Sequence, residues 1–202
     1  MSRPLEFFFS FRSPYSYLAA PRAFALSGSY DIELVFRGVI PMAMRGQAVP
    51  RAKRLHTLRD AAREAERLGM PFGRIHDPIG EGAMRCLLVS EHARELGWER
   101  EFVLEASRGI WAEAVDVSRD AGLRIVCERA GLAWSDCLAA LEDPRYLERV
   151  RANTDALVKL GHWGVPLFVF EEELFWGQDR IEDVEAALRA AGLERVWAGR
   201  RT

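Results

Sequence analysis

The chain has 202 residues, of which 49% are hydrophobic, so it is long enough to bury a sizeable core in one domain or in one domain with a large insertion. Its formal net charge of −2 at pH 7 gives no reason to expect a nucleic acid or an anionic membrane as a partner. No run approaches the roughly 18 apolar residues of a membrane-spanning helix, and none has the pattern of a secretory signal. We therefore expect a cytoplasmic protein.

The first quarter of the chain predicts two strands with a helix between them. The segment Leu5–Ser10, with three consecutive phenylalanines, is typical of a strand, and Tyr15–Leu26 has the pattern of a helix. A second strand, Ile32–Phe36, follows, because its apolar residues alternate with polar Glu33. A loop rich in glycine, proline and methionine then extends over Gly38–Pro50.

Helical patterns continue from this loop to about Leu160 without a clear strand. The helices that they predict are Arg51–Leu68, Met84–Leu96, Glu101–Ala114, a helix capped by Ser118 and running to Ala130, Trp134–Leu141 and Pro144–Leu160. In the first of these helices, Leu55, Leu58, Ala62 and Ala65 are expected to form the buried face.

Strands return only near the end of the chain. The closing elements are the strands Leu167–Phe170 and Leu174–Trp176 and the helix Arg180–Ala191. A helical block that begins and ends beside the same sheet is best explained as an insertion into one α/β unit. Residues 1–37 together with 160–202 would form that unit, and residues 38–159 would form the insertion.

The three cysteines predict neither a disulfide framework nor a metal site. Cys86, Cys127 and Cys137 are an odd number, and no two of them have C-x-x-C spacing. All three lie in helical patterns beside apolar residues, which is typical of buried free thiols in a reducing cytosol. We expect no bound metal.

The strand-to-helix corner Phe8–Leu18 is the most informative segment. Pro14 suits the first helical position, so the Ser13 hydroxyl lies at the positive helix end, where unpaired N–H groups attract anions. A thioredoxin-like domain carries a Cys-x-x-Cys pair here, whereas this chain has serine at both 13 and 16. We infer that a thiolate arrives with a ligand; the alternative is that Ser13 is an ordinary helix cap.

Two segments near the end of the chain also have features of a ligand site. The Val165–Pro166 bond directly precedes a strand, and we expect it to be cis rather than trans, with the Val165 backbone paired to a bound peptide as an added strand would be. Gln178 and Asp179 directly precede the last helix, where an amide, a carboxylate and helix-start N–H groups could hold a small zwitterion. Alternatively, Asp179 is only the cap of that helix.

Together these three segments resemble the 2-hydroxychromene-2-carboxylate isomerases and the kappa-class glutathione transferases, over almost the whole chain. The S-P-Y-S-Y-L corner, the G-V-P turn and the F-W-G-Q-D-R ending occur in the expected order. The resemblance implies a DsbA-like thioredoxin fold, α/β in class, with a large all-helical insertion. It also implies glutathione as cofactor, with Ser13 as the catalytic residue that hydrogen-bonds the glutathione sulfur.

The remaining glutathione contacts also follow from the resemblance. Val165 would pair with the cysteinyl backbone, and Gln178 and Asp179 would bind the γ-glutamyl end. Lys53 matches a family lysine near the glycine carboxylate, although a solvated lysine on a charged helix is the alternative. Gln47 stands where the family usually has asparagine.

The substrate side is less strongly specified by the sequence. The candidate pocket residues for a planar aromatic substrate are Phe11, Tyr15, His56, His76 and Trp163, with core packing as the alternative for the aromatic ones. Gln47, His56 and the segment 76–82 depart from the family pattern, so we expect the acceptor specificity to differ from that of the usual isomerases.

The function that the resemblance implies is glutathione-dependent isomerisation of an aromatic-pathway compound, with Ser13 activating the glutathione thiol. A kappa-like glutathione transferase and a non-catalytic binding protein with a thioredoxin fold are the alternatives. A thiol–disulfide oxidoreductase is nearly excluded, because positions 13 and 16 carry no cysteine. Glutathione and a small aromatic substrate are the expected partners, and a homodimer is left open.

Overall fold

A computed structural model of the protein describes residues 2–47 and 49–195. Short 3₁₀ helices occur at Met42–Arg45 and Gln178–Arg180. The strands are β1 (Arg3–Phe9), β2 (Ile32–Gly38), β3 (Leu167–Phe170) and β4 (Glu173–Trp176). The α-helices are α1 (Pro14–Ser29), α2 (Arg51–Arg67), α3 (Glu81–Leu96), α4 (Glu99–Ala112), α5 (Asp120–Arg129), α6 (Trp134–Ala140), α7 (Pro144–Lys159) and α8 (Ile181–Ala190).

One mixed sheet with strand order β2-β1-β3-β4 is the base on which the site is built. β1 pairs in parallel with β2 and antiparallel with β3, and β4 pairs antiparallel with β3. Phe7 and Phe9 on one face of β1 and Phe8 on the other are fully buried. Because β1 is covered on both faces, its last three residues, Phe7–Phe9, are consecutively apolar rather than alternating with polar residues. β1 therefore holds the corner at Ser13 in the middle of the fold.

The helices between β2 and β3 pack directly on the α/β unit. α4 lies against α1, and α7 lies against β2 and α3. The main hydrophobic core contains Phe7 and Leu18 of the α/β unit together with Phe102 and Leu123 of the helical block. The predicted division at residues 37/38 and 159/160 stays a prediction. No helix among the described residues is both long and apolar enough to cross a bilayer.

The predicted elements are present, and three details of them are corrected. α1 continues through Pro21 to Ser29, three residues beyond the predicted end. Ser118 is not the cap of α5, whose cap position is Arg119, because the Asp116 carboxylate accepts both the N–H and the hydroxyl of Ser118 in a turn before the helix.

The buried face of α2 is the third correction. Ala65 is buried as predicted and Leu58 is half-buried, but Leu55 and Ala62 are exposed, and Ala61 is buried in their place. α2 packs on α1. The small side chains Ala61 and Ala65 lie one turn apart, so they allow close approach of the two helices.

Candidate active site

Ser13 lies at the N-terminus of α1 and caps the helix. Its Oγ accepts a hydrogen bond from the Ser16 N–H at 3.1 Å, which satisfies one of the unpaired donors of the first turn. The same hydroxyl donates to the Val165 carbonyl at 3.3 Å, which is long for an O–H donor. The capping alternative is therefore correct, but it uses only the oxygen lone pair. The weakly held proton can rotate toward a ligand atom at the helix end.

The loop before β3 contacts Ser13 through Val165. The Val165–Pro166 bond is cis, which confirms the prediction. Val165 is half-buried, and its N–H donates to no acceptor within the described residues. Because backbone N–H groups away from water are normally paired, this donor is suited to the carbonyl of an extended ligand.

A mostly apolar cavity of about 270 Å³ opens beside Ser13. Its apolar wall includes Val39, Met42, Leu58 and Ile75. Of the predicted site residues, the following line it: Ser13, Tyr15, Lys53, Trp163 and Val165. A concave apolar site with a few polar groups is the usual form of a small-molecule pocket.

A second cavity, of about 520 Å³, adjoins the first. The two cavities share Tyr15, Val165 and Trp176, so a ligand longer than one cavity can extend across both. Polar residues dominate the second one, namely Asp60, Glu64, Arg67, Gln178 and Asp179. Arg67 pairs there with Glu64 and Arg180 pairs with Asp179, so three carboxylates and two guanidinium groups leave a small excess of negative charge for a cationic ligand group.

Gln178 holds the acidic wall of the second cavity, formed by Asp60, Glu64 and Asp179, in place. Its side chain is only 5% exposed, and its Nε2 donates to a carboxylate oxygen of Glu64 at 3.1 Å. Arg22 donates to both the Gln178 side-chain oxygen and the Gln178 carbonyl, the latter at 2.7 Å. The amide is therefore already engaged by protein groups, and Gln178 fixes Glu64 in the cavity wall.

Asp179 does not cap the last helix. The 3₁₀ turn Gln178–Arg180 intervenes, so Arg180 occupies the cap position of α8 and makes no side-chain capping bond. The Asp179 carboxylate is exposed and pairs with Arg180 at 3.0 Å. It curls back over Gly177, where an added Cβ would stand 2.3 Å from its Oδ1. That carboxylate is flexible and can move aside, so it is the φ of 128° at Gly177 that favours glycine there.

Tyr15 separates the two cavities as a neutral wall. Its hydroxyl donates to Asp60 Oδ2 at 2.6 Å. Burial, together with the hydrogen bond to the Asp60 carboxylate, raises the pKa of Tyr15 well above its ordinary value. Tyr15 therefore stays protonated near neutral pH and cannot serve as a base there.

Three aromatic rings and Lys53 form an exposed rim on the first cavity. Trp163 stacks on His162 and meets Trp176 edge-to-face, with ring centroids 5.0 Å apart in the second pair. The Lys53 Nζ lies 5.2 Å from the centre of the Trp163 ring, within cation–π range. Both tryptophans are more than two-fifths exposed, at 42% and 49%. The Trp176 indole fits against Gly164, where a Cβ would stand 2.7 Å from its nitrogen.

Four predicted site residues do not line either cavity. Phe11 is fully buried and packs between Phe9 and Phe102, so it is a core residue. His56 and Gln47 are exposed outside the cavity walls. His76 is turned toward Asp116, with Nε2 to Oδ1 at 3.2 Å. These histidines and Gln47 lie outside the cavity walls, whereas Asp77 of the segment 76–82 lines the first cavity, so the changed acceptor specificity stays a prediction.

Several residues of the cavity walls were not predicted. Asp60 and Glu64 follow Lys53 and Thr57 on α2 at intervals of three and four residues, and all four line the cavities. This polar stripe at helical spacing was the available signal. This stripe is difficult to recognise in the sequence because Arg51, Arg54 and Arg59 make the whole helix highly charged.

Comparison with protein families and known proteins agrees with the fold. A family model described as a DSBA-like thioredoxin domain matches residues 4–189. Two curated proteins named 2-hydroxychromene-2-carboxylate isomerase are each 24% identical to this chain. The one from Sphingobium xenophagum covers 93% of this chain and 99% of its own length, and the one from Pseudomonas putida covers 91% and 93%.

Solved structures confirm the predicted DsbA-like thioredoxin fold. A structure of 2-hydroxychromene-2-carboxylate isomerase superimposes with a TM-score of 0.79 at 23% identity, covering 94% of this chain and 96% of that one. The cytosolic disulfide reductase DsbM from Pseudomonas aeruginosa, solved with GSH, superimposes with a TM-score of 0.68 at 17% identity. It covers 92% of this chain and 99% of its own.

Proposed function

Because this chain belongs to the family of DsbA-like thioredoxin domains, we propose that it is a glutathione-dependent isomerase of an aromatic compound. The observation that carries the proposal is the corner at Ser13. A hydroxyl and a helix N-terminus occupy the place where the fold activates a thiol, and Cys86, Cys127 and Cys137 are all fully buried elsewhere. The curated relatives named 2-hydroxychromene-2-carboxylate isomerase support the reaction class.

The two cavities offer partners for two of the charged groups of glutathione. Asp60, Glu64 and Asp179 suit the γ-glutamyl ammonium in the second cavity, and Lys53 suits the glycine carboxylate at the rim of the first. The unpaired Val165 N–H between the cavities suits a carbonyl of the cysteinyl segment. In this arrangement the ligand sulfur reaches the Ser13 hydroxyl.

The chain's contribution to the chemistry is electrostatic. An unperturbed thiol has a pKa of about 8.5, and values of roughly 3.5–7.5 are found at helix N-termini or beside cationic groups. Ser13 donates its proton toward the sulfur and remains a neutral hydroxyl, while the first turn of α1 adds the positive end of its dipole. When bound, glutathione supplies the nucleophile that adds to a conjugated carbon and leaves after bond rotation.

The test is steady-state kinetics with 2-hydroxychromene-2-carboxylate and related aromatic electrophiles, with and without glutathione. We expect isomerisation that depends on glutathione and leaves the glutathione concentration unchanged. Consumption of glutathione with a stable thioether product would instead support the kappa-like transferase. Isomerisation at full rate without glutathione would contradict the proposal.

A further inference from the structure

Arg22 of α1 is a half-buried cation whose hydrogen bonds within the described residues all go to one glutamine. Its Nη2 donates to the Gln178 carbonyl at 2.7 Å and also to the Gln178 side-chain oxygen. Its Nε is buried and has no hydrogen-bond partner in the described part of the chain. Burial lowers the pKa of Arg22, which reflects the cost of removing a cation from water. The protein therefore keeps a partly desolvated charge beside a neutral amide.

The contact with Arg22 fixes the direction in which the Gln178 amide points. An amide has an oxygen that accepts and an NH₂ group that donates, whereas a guanidinium only donates. The amide oxygen must therefore face Arg22, and the NH₂ group then faces Glu64, with Nε2 to Oε2 at 3.1 Å. The positive charge also polarises the amide, which strengthens the hydrogen bond that the amide donates onward. Hydrogen bonds thus run in one direction from Arg22 through Gln178 to Glu64.

Glu64 ends this series and lines the second cavity. Its Oε1 pairs with Arg67, and its Oε2 accepts the hydrogen bond from Gln178. The Arg67 side chain is 71% exposed, so solvent screens that ion pair, whereas Gln178 is buried. Of these two partners, Gln178 therefore has the larger influence on where the Glu64 carboxylate lies.

α1 also supports the acidic wall at a second point. Tyr15 donates to the Asp60 carboxylate at 2.6 Å, and Asp60 lies one turn before Glu64 on α2. α1 packs against the 3₁₀ turn that contains Gln178 as well. The helix that carries Ser13 at its N-terminus thus orients two of the three carboxylates of the wall.

We propose that Arg22 is a positioning residue, which acts through Gln178 to hold Glu64 where it contacts the ammonium group of glutathione. Arg22 lines neither of the two cavities, so it does not touch the ligand itself. The inference rests on the proposed function, because glutathione is the ligand. It gives Gln178 an indirect role in place of the direct contact with the γ-glutamyl end that the sequence predicted.

Calorimetric titration with glutathione, and with glutaryl-cysteinylglycine, which differs only in lacking the ammonium group, tests this role. Arg22→Met should weaken glutathione binding about 3- to 10-fold, the usual effect of losing one hydrogen bond. It should leave the affinity for the glutaryl analogue within about twofold, because Glu64 has no cationic group to meet there. Arg22→Lys keeps the charge and can donate to the same oxygens, so it should recover part of the loss.

Arg37→Met is the matched control. Arg37 is also half-buried, donates to a side-chain amide oxygen, that of Asn153, and lines neither cavity. Its replacement should change the affinity for neither ligand.

A double-mutant cycle separates the indirect role from a direct one. Glu64→Gln removes the charge on which Arg22 acts, so adding Arg22→Met to it should weaken glutathione binding by less than about twofold more. Gln178→Met keeps the side-chain volume without the amide and should behave in the same way, alone and together with Glu64→Gln. This second cycle also decides the matter if Arg22→Met does not fold.

Three results would overturn the role of Arg22. Equal losses for both ligands in Arg22→Met would make Arg22 a structural residue only. Losses that add fully to that of Glu64→Gln would mean that Glu64 is not the group through which Arg22 and Gln178 act. Unchanged glutathione affinity in Arg22→Met or in Gln178→Met would also contradict it. If the wild type does not bind glutathione, the proposed function fails and the role of Arg22 with it, whereas any of the three results in a protein that binds glutathione overturns the role of Arg22 alone.

Discussion

Replacing Ser13 by alanine should raise the thiol pKa of bound glutathione. A hydrogen bond to a charged group contributes about 1.5–3 kcal/mol, and one pKa unit corresponds to about 1.4 kcal/mol, so the expected rise is about one to two units. At pH 7 the rate should fall about 3- to 50-fold, because a smaller fraction of the bound thiol is then ionised. The bound thiolate forms as the pH rises through this pKa, so the loss should shrink at high pH. Ultraviolet absorbance of the thiolate, titrated against pH, measures the shift directly.

Loss of the helix cap needs a separate control. Ser13→Ala also removes the bond from the Ser16 N–H, which should cost about 0.5–2 kcal/mol of stability. Asp143 caps α7 before Pro144 in the same way, accepting the Arg145 N–H at 2.9 Å, and it lines neither cavity. Asp143→Ala should therefore reproduce the stability loss without moving the thiol pKa. An unchanged thiolate titration in Ser13→Ala would refute the assigned role.

Three further predictions concern the acidic wall, its glycine and the buried acids. Glu64→Gln should weaken glutathione binding, measured by calorimetry, more than Asp179→Asn does. The Glu64 side chain is 21% exposed and the Asp179 side chain 57%, so solvent screens the charge of Asp179 more strongly. The reverse order of the two losses would exclude Glu64 as the main contact. Gly177→Ala should lower thermal stability by about 1–3 kcal/mol, since its φ of 128° is strained for any other residue; an unaltered melting temperature would contradict this. Burial raises the pKa of Glu99 from 4.5 to about 7, so between these pH values the folded state holds a proton that the unfolded state releases. The stability of the wild type should therefore decline relative to Glu99→Gln as the pH rises from 4.5 to 7, as measured by denaturant titrations of both proteins. An equal change of stability with pH in the two proteins would show that Glu99 ionises normally.

The parts of the site that lie on continuous segments were predictable from sequence. Ser13 and Pro14 share one corner, and the Val165–Pro166 bond lies directly before a buried strand. Local rules on helix starts and on proline decide such features. For the same reason, the strand β1 and the order of elements followed from apolar patterns.

The remaining parts depend on how distant elements pack. The face of α2 that is buried against α1 is the one that carries Ala61 and Ala65. The hydrophobic periodicity of the sequence was also compatible with a different buried face. Phe11 has the aromatic character of a pocket residue, yet it packs in the core with Phe102.

The most direct test of the central claim is the number of protons released when glutathione binds. Calorimetric titration at pH 7 in buffers of different ionisation enthalpy gives this number together with the affinity. A free thiol of pKa about 8.5 is almost fully protonated at pH 7, and a helix N-terminus lowers that value, so we expect release of more than about half a proton per glutathione bound. Absence of binding, or saturable binding without proton release, would contradict the claim that Ser13 and α1 stabilise a glutathione thiolate.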